Sequence, residues 1–195
     1  MKPEKVIKFS DGCSLEIYQD ENPENPRTEC DNLGVMVCLH GKYNLGDNHE
    51  YRSKDFNGWD ELEEQIKYNN PDCVIMPLYL YDHSGITIST GSFNDRWDSG
   101  QIGFIFITKE RIDRELKGNI ERAKEVLFAE VKTYDQYLRG DIYRFILRDK
   151  SCEKCGGPGE ILDNCGGFYG DNLVDNGIVD NLKEEYKREL LLSEK

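Results

Sequence analysis

Basic charge is what this chain has too little of. Lys and Arg number 25 against 38 Asp and Glu, which leaves a formal net charge of −13. Phosphate backbones are gripped by clustered Lys and Arg, so this balance excludes a protein that holds nucleic acid through a broad basic surface of its own. It points instead to a basic partner. Long apolar runs are missing as well: none approaches the roughly 20 residues that cross a bilayer, and the charged opening Met1-Lys2-Pro3-Glu4-Lys5 is no secretory h-region. The expectation is a cytoplasmic protein with no membrane partner. Histidine is scarce, with only His40, His49 and His83, and there is no internal repeat or low-complexity tract. The seven cysteines are an odd number, and in a reducing compartment each is expected to be a buried, free or metal-bound thiol rather than half of a disulfide.

Tyrosine and phenylalanine are plentiful, at 11 and 8 residues, and the apolar positions are well patterned, so the chain has the material for one packed core. Val6 to Phe9 and Ser14 to Tyr18 read as an opening hairpin turned at Asp11-Gly12, a pair that accepts the positive φ of tight turns. Gln19 to Asp31 follows as an acidic, proline-bearing loop. Val35 to Leu39 is a continuous apolar strand, which predicts a central position covered on both faces and places Cys38 in the core. A helix from Asn57 carries Trp59, Leu62 and Ile66 on one stripe and is stopped at Asn69-Asn70-Pro71. Val74 to Tyr81, Ile86 to Thr90 and Ile102 to Ile107 read as further strands, with Cys73 at the edge of the first in the core.

Thr108 caps a short helix through Leu116, and Ile120, Ala123, Leu127, Val131, Tyr134 and Leu138 then recur at three- and four-residue spacing up to the stop at Gly140. Asp141 to Arg148 is another strand, followed by a turn-rich hairpin and a charged helix with Leu182, Tyr186 and Leu190 on one face. The fold class read from this pattern is α+β, a single domain with a mixed or antiparallel sheet packed against the long helix. Residues 1–150 form its core, and the hairpin and final helix over 151–195 are appended to it.

Candidate chemistry gathers where apolar runs end. His40 lies just past one strand with Lys42, Tyr43 and Asp47 behind it, and His83 sits between Asp82 and Ser84 at the end of another. Loops on a rigid scaffold commonly carry chemistry, and an imidazole titrates near neutrality, so each histidine is a candidate acid or base. A histidine hydrogen-bonded in a turn is the bland alternative for His83. Glu130 and Tyr134 are one turn apart on the long helix and share a face. If that face borders the strand ends, His40, Asp47, His83, Glu130 and Tyr134 line one catalytic cleft, with Lys42, Tyr43, Asp82, Ser84, Trp97 and Gln101 binding the substrate. Histidine, carboxylate and tyrosine are the parts of a metal-independent phosphodiesterase; core packing for Tyr134 and solvation for Glu130 are the competing reading.

Cys152 and Cys155 have the two-residue gap of a zinc knuckle and Cys165 is a third thiol nearby, yet a structural site needs a fourth ligand from elsewhere. Zinc and a hairpin with free thiols both remain open, and no other cofactor is implied. The acidic loop with Glu21, Glu24, Glu29 and Asp31 is either a solubilising surface or an imitation of a phosphate track.

The segments Asp31 to His40, Tyr43 to Asp47, Pro77 to Gly85, Trp97 to Phe104 and Gly166 to Gly170 resemble a group of small proteins carried by phages and plasmids of Firmicutes, over most of Asn25 to Tyr169. Some members of that group are linked to inhibition of CRISPR-Cas9, including by truncation of the guide RNA. The resemblance therefore implies an anti-defence protein of a mobile element, an anti-CRISPR-like inhibitor whose partners are a Cas9-type nucleoprotein and its guide RNA. A stand-alone phosphodiesterase or nuclease and a non-catalytic acidic module are the alternatives. Group members commonly carry an aromatic residue before the first histidine and two arginines after it, where this chain has Leu39 and Gly41-Lys42, a single positive group.

Overall fold

The computed structural model describes residues 2–95, 97–151 and 156–193. The fold is α+β, and the described residues form five helices and eight strands in two antiparallel four-stranded sheets. Two compact units are present, one over Asn25–Arg139 and the other over Met1–Glu24 with Gly140–Lys195.

The second of these brings the chain ends into one sheet. Strand β1 (Lys5–Lys8) and β2 (Ser14–Gln19) form the expected hairpin, with Gly12 in its turn at φ 92°. β2 pairs with β7 (Ile142–Arg148), and β7 pairs with β8 (Ile161–Tyr169), giving the order β1-β2-β7-β8. Leu15, Ile17, Phe145 and Leu147 alternate onto one face, where Leu182, Tyr186 and Leu190 of the C-terminal segment cover them. Helix α5 (Glu184–Ser193) thus buries the stripe read from its spacing, and Glu189 fixes it by accepting from the Ser10 amide at 2.7 Å and the Ser10 hydroxyl at 2.9 Å. On the polar face Glu16 accepts from Arg148 Nε at 2.8 Å and from the Tyr18 hydroxyl at 2.7 Å.

The unit over Asn25–Arg139 is a sheet in the order β3-β6-β4-β5 with helices on both faces. Its strands are β3 (Val35–Cys38), β4 (Val74–Asp82), β5 (Ile86–Ser89) and β6 (Ser99–Ile107). The period of two along β6 decides which residues face which layer. Ile105 and Ile107 pack with Leu127, Val131 and Tyr134 of the long helix α4 (Ile120–Arg139), while Phe104 and Phe106 pack with Leu62 and Ile66 of α2 (Trp59–Asn69). Leu62, Ile66, Ile105 and Leu127 have no exposed area, and each such side chain stabilises the fold by about 1.5–3 kcal/mol relative to exposure. Helix α3 (Lys109–Leu116) starts at Thr108, whose hydroxyl accepts from the Arg111 amide at 3.4 Å.

Two expectations need correction. Strand β3 is at the sheet edge rather than the centre, although Met36 and Val37 are buried on opposite faces by the α4 and α2 layers. Its outer edge is satisfied by the following loop, where the Asp47 amide donates to Met36 O at 2.8 Å. The acidic loop before it also contains a one-turn helix, α1 (Pro26–Glu29), capped by Asn25. Cys38 is buried as read from the sequence, and burial, reinforced by the nearby Asp47 charge, pushes its thiol up to about 12; Cys73 is only half-buried.

Candidate functional site

Antiparallel pairing sends three chain segments to one rim of the β3-β6-β4-β5 sheet. Cys38 pairs with Gly103 and Tyr81 with Ser99, so the C-terminal ends of β3 and β4 meet the N-terminal start of β6. A register shift at Leu78/Tyr79 turns this start of β6. His40, Asp82, Asp98 and Gln101, with Trp97 beside them, line an open pocket of about 340 Å³ there.

Hydrogen bonds fix the chemistry of both rim histidines. His83 Nδ1 lies 2.9 Å from Asp98 Oδ2. A carboxylate can only accept, so Nδ1 carries the proton and the Nε2 lone pair of neutral His83 is left as a base. The Tyr81 ring stacks on the imidazole with centroids 6.0 Å apart, and Phe93 backs Tyr81 at 5.6 Å. His40 is wired the other way. Its Nδ1 accepts from the Lys42 amide at 3.3 Å and the Tyr43 amide at 3.2 Å, which leaves Nε2–H as a donor. The Tyr43 ring stacks on it with centroids 5.1 Å apart.

Asp82 is the third polar group of the rim. It accepts from the Tyr43 hydroxyl at 2.9 Å and from the Lys42 ammonium at 3.2 Å, and these two donors, the tyrosine first, hold its carboxyl below the usual carboxylate range. Lys42, Tyr43 and Asp82 therefore work as one cluster. Ser84 occupies the exposed turn beside His83 at φ 59°, a left-handed conformation that β4 and β5 impose in closing their hairpin. The turn before β6 is held by Asp95, which accepts from the Trp97 amide at 2.8 Å and the Asp98 amide at 3.1 Å.

Asp47, Glu130 and Tyr134 do not join this rim. They belong to the start of β3, around a guanidinium that sequence reasoning passed over. The Arg27 side chain is 1% exposed, and among the described residues it is the one charged group in the buried class. It donates from Nε and Nη2 to Asp47 at 2.9 and 2.6 Å, from Nη1 to Glu130 at 2.9 Å, and from Nη2 to Gly34 O at 2.9 Å. Burial works against its charge, but the Asp47 and Glu130 carboxylates overcome that and hold its pKa above the usual arginine value.

Both acids are spent on the backbone as well. Asp47 accepts from the Met36 amide at 2.8 Å, and Glu130 from the Leu33 amide at 2.7 Å and the Gly34 amide at 3.1 Å. Tyr134 is 3% exposed, its hydroxyl accepts from the Gly46 amide at 3.1 Å, and burial raises its pKa. Close approach selects glycine at two positions here. A Cβ at Gly34 would lie 2.5 Å from Leu127, and one at Gly46 would lie 2.6 Å from Met36 O at a φ of 73°. These groups are engaged with Arg27 and the backbone, so the cleft expected to hold all five residues divides into a rim with the histidines and a mostly buried knot.

Of the thiols considered for zinc, Cys152 and Cys155 lie outside the described residues, and Cys165 is an exposed free cysteine on β8. Among the described residues no group of three or more His, Cys, Asp or Glu is placed to hold a metal ion. No described helix is long and apolar enough to cross a membrane. Asp98 is the rim residue that the sequence underweighted, although it stands in the polar cluster Trp97 to Gln101. Arg27 carried a weaker signal, the Asn25-Pro26 pair that starts a helix with a capping side chain and proline in its first turn. Compared with family models, curated proteins and solved structures, the chain matches none.

Proposed function

We propose that the rim pocket performs proton transfer on RNA, and that this RNA is the guide of a Cas9-type host nucleoprotein which the protein disables on behalf of a mobile element. The observation that carries the reading is the opposite wiring of two histidines at one rim: Asp98 leaves His83 with a free Nε2 lone pair, and the 42–43 backbone leaves His40 with an Nε2 donor. His83 takes the proton of a ribose 2′-hydroxyl, and the freed oxygen attacks the adjacent phosphorus. His40 donates a hydrogen bond to the charge that builds on the phosphoryl oxygens. Since the site is open to solvent, water protonates the departing 5′ oxygen and the resulting hydroxide recovers the proton from His83. The products are a 2′,3′-cyclic phosphate and a 5′-hydroxyl. Asp98 is the positioning residue for His83.

Acidity favours RNA that another protein already holds. A chain of net charge −13, with one lysine beside the rim, has little to grip a phosphate track by itself. The likeness to phage and plasmid proteins linked to Cas9 inhibition supports the same partner.

Labelled guide RNA, free and assembled in Cas9, tests the reading when incubated with the protein with and without chelator. The expected result is cleavage in the assembled complex that survives chelation, leaves cyclic phosphate ends and is abolished by 2′-deoxy substitution at the cut. An intact guide at stoichiometric binding overturns it and leaves the acidic binding module. Equally fast cleavage of free RNA replaces the anti-defence role with a stand-alone nuclease.

A further inference from the structure

Trp97 is 95% exposed, the most exposed large apolar side chain on the described surface. Its backbone, by contrast, is held: Asp95 accepts from the Trp97 and Asp98 amides, and the Ser99 hydroxyl donates to Asp95 O. Burying an indole gains free energy, so a tight turn that presents one to water beside a polar pocket has forgone that gain. The pocket it borders holds about 340 Å³, a volume on the scale of a single nucleotide unit.

We infer that Trp97 is a stacking platform for one unpaired nucleobase, so that the substrate class of the rim site is single-stranded RNA. Every base has a π-face, and stacking needs no positive charge, which is how a strongly acidic protein takes hold of RNA without a basic surface. Polar groups for the base edge stand on the same wall. Gln101 spends one amide N–H on Gly103 O at a long 3.4 Å, and its carbonyl is an acceptor. Asp82 and Asp98 line the pocket too, and their carboxylates favour the uncharged base over the phosphate as the group that enters. The inference rests on the proton-transfer reading of this site: Trp97 lines the same pocket as His40 and as Asp98, the residue bonded to His83.

The test is a fluorescence titration at low ionic strength. Of the two tryptophans, Trp59 packs edge-on against Phe104 and serves as the constant background, while Trp97 reports the site. The probes are adenosine, a short mixed-sequence single-stranded RNA, the same RNA annealed to its complement, and maltose. Adenosine and the single strand are expected to quench Trp97, with the duplex at least about tenfold weaker. Anisotropy of the same single strand end-labelled with fluorescein does not depend on the indole and reads the variants: Trp97→Ala should lose affinity for the single strand by roughly 5- to 150-fold, the range for one stacked base, and Trp97→Phe should keep part of it.

No quenching by adenosine or the single strand, equal binding of the duplex, or quenching by maltose alone overturns the inference. The indole touches solvent almost everywhere, so neither variant puts the fold at risk, and an unchanged unfolding midpoint confirms that. Quenching by the single strand with no cleavage of any RNA supports the stacking site and overturns proton transfer. Cleavage undiminished in Trp97→Ala does the reverse.

Discussion

Strand β3 has polar chemistry at both ends, and the two ends obey different rules. At its start, the Arg27 side chain is 1% exposed and meets two carboxylates and a carbonyl, so its charge is matched and four of its N–H groups have partners within the protein. At the rim where β3 and β4 both end, the His83 side chain is 64% exposed and spends Nδ1 on Asp98. The comparison teaches that a cluster of titratable groups is not yet a site. The buried knot is complete, so it holds structure; the rim is incomplete, and an unfilled valence is what a substrate needs.

That contrast predicts opposite outcomes for mutations at the two ends. The largest loss of stability is expected from Arg27→Met, which strands the Asp47 and Glu130 carboxylates in a buried setting and costs about 3–5 kcal/mol in denaturant unfolding. Gly46→Ala follows at about 1–3 kcal/mol, since its new methyl meets Met36 O and its φ of 73° disfavours any side chain. A similar unfolding curve for wild type and Arg27→Met would remove the distinction between knot and rim.

The smallest effect lies in the other unit and is pH-dependent. Burial opposes the Glu16 charge, but hydrogen bonds from Arg148 and Tyr18 outweigh it and hold the carboxyl below its ordinary 4.5. The unfolded chain therefore takes up this proton first as pH falls. The contribution is complete above 4.5 and is lost as the pH drops through the lower folded value. Glu16→Gln should accordingly flatten the fall in stability below that pH, measured by denaturant unfolding across an acid series, and leave the rim chemistry untouched.

Much of the fold was written locally. Period and capping disclose α3, α4 and α5, and Asp11-Gly12 discloses the first hairpin. Edge position for β3 and the β2–β7 pairing that unites the chain ends have no local signature, because they are set by which surfaces meet after collapse. The candidate site was half legible for a related reason. Strand ends rich in His, Asp and Gly mark the rim, and antiparallel pairing brings His40, Asp82 and Asp98 together there. Glu130 and Tyr134 share a helical face as their spacing requires, yet that face turns to Arg27, which stands in an acidic, proline-bearing loop and gives no sign of being buried. Residue types reveal that protons can move; only the partner of each group reveals whether it is free to do so.

The most direct measurement is of His83→Ala, read for guide-RNA cleavage in the assembled Cas9 complex and for unfolding on the same preparation. The account predicts cleavage lower by about two to four orders of magnitude, with effector binding kept and stability within about 0.5 kcal/mol of wild type. Cleavage at the wild-type rate by folded His83→Ala would contradict it.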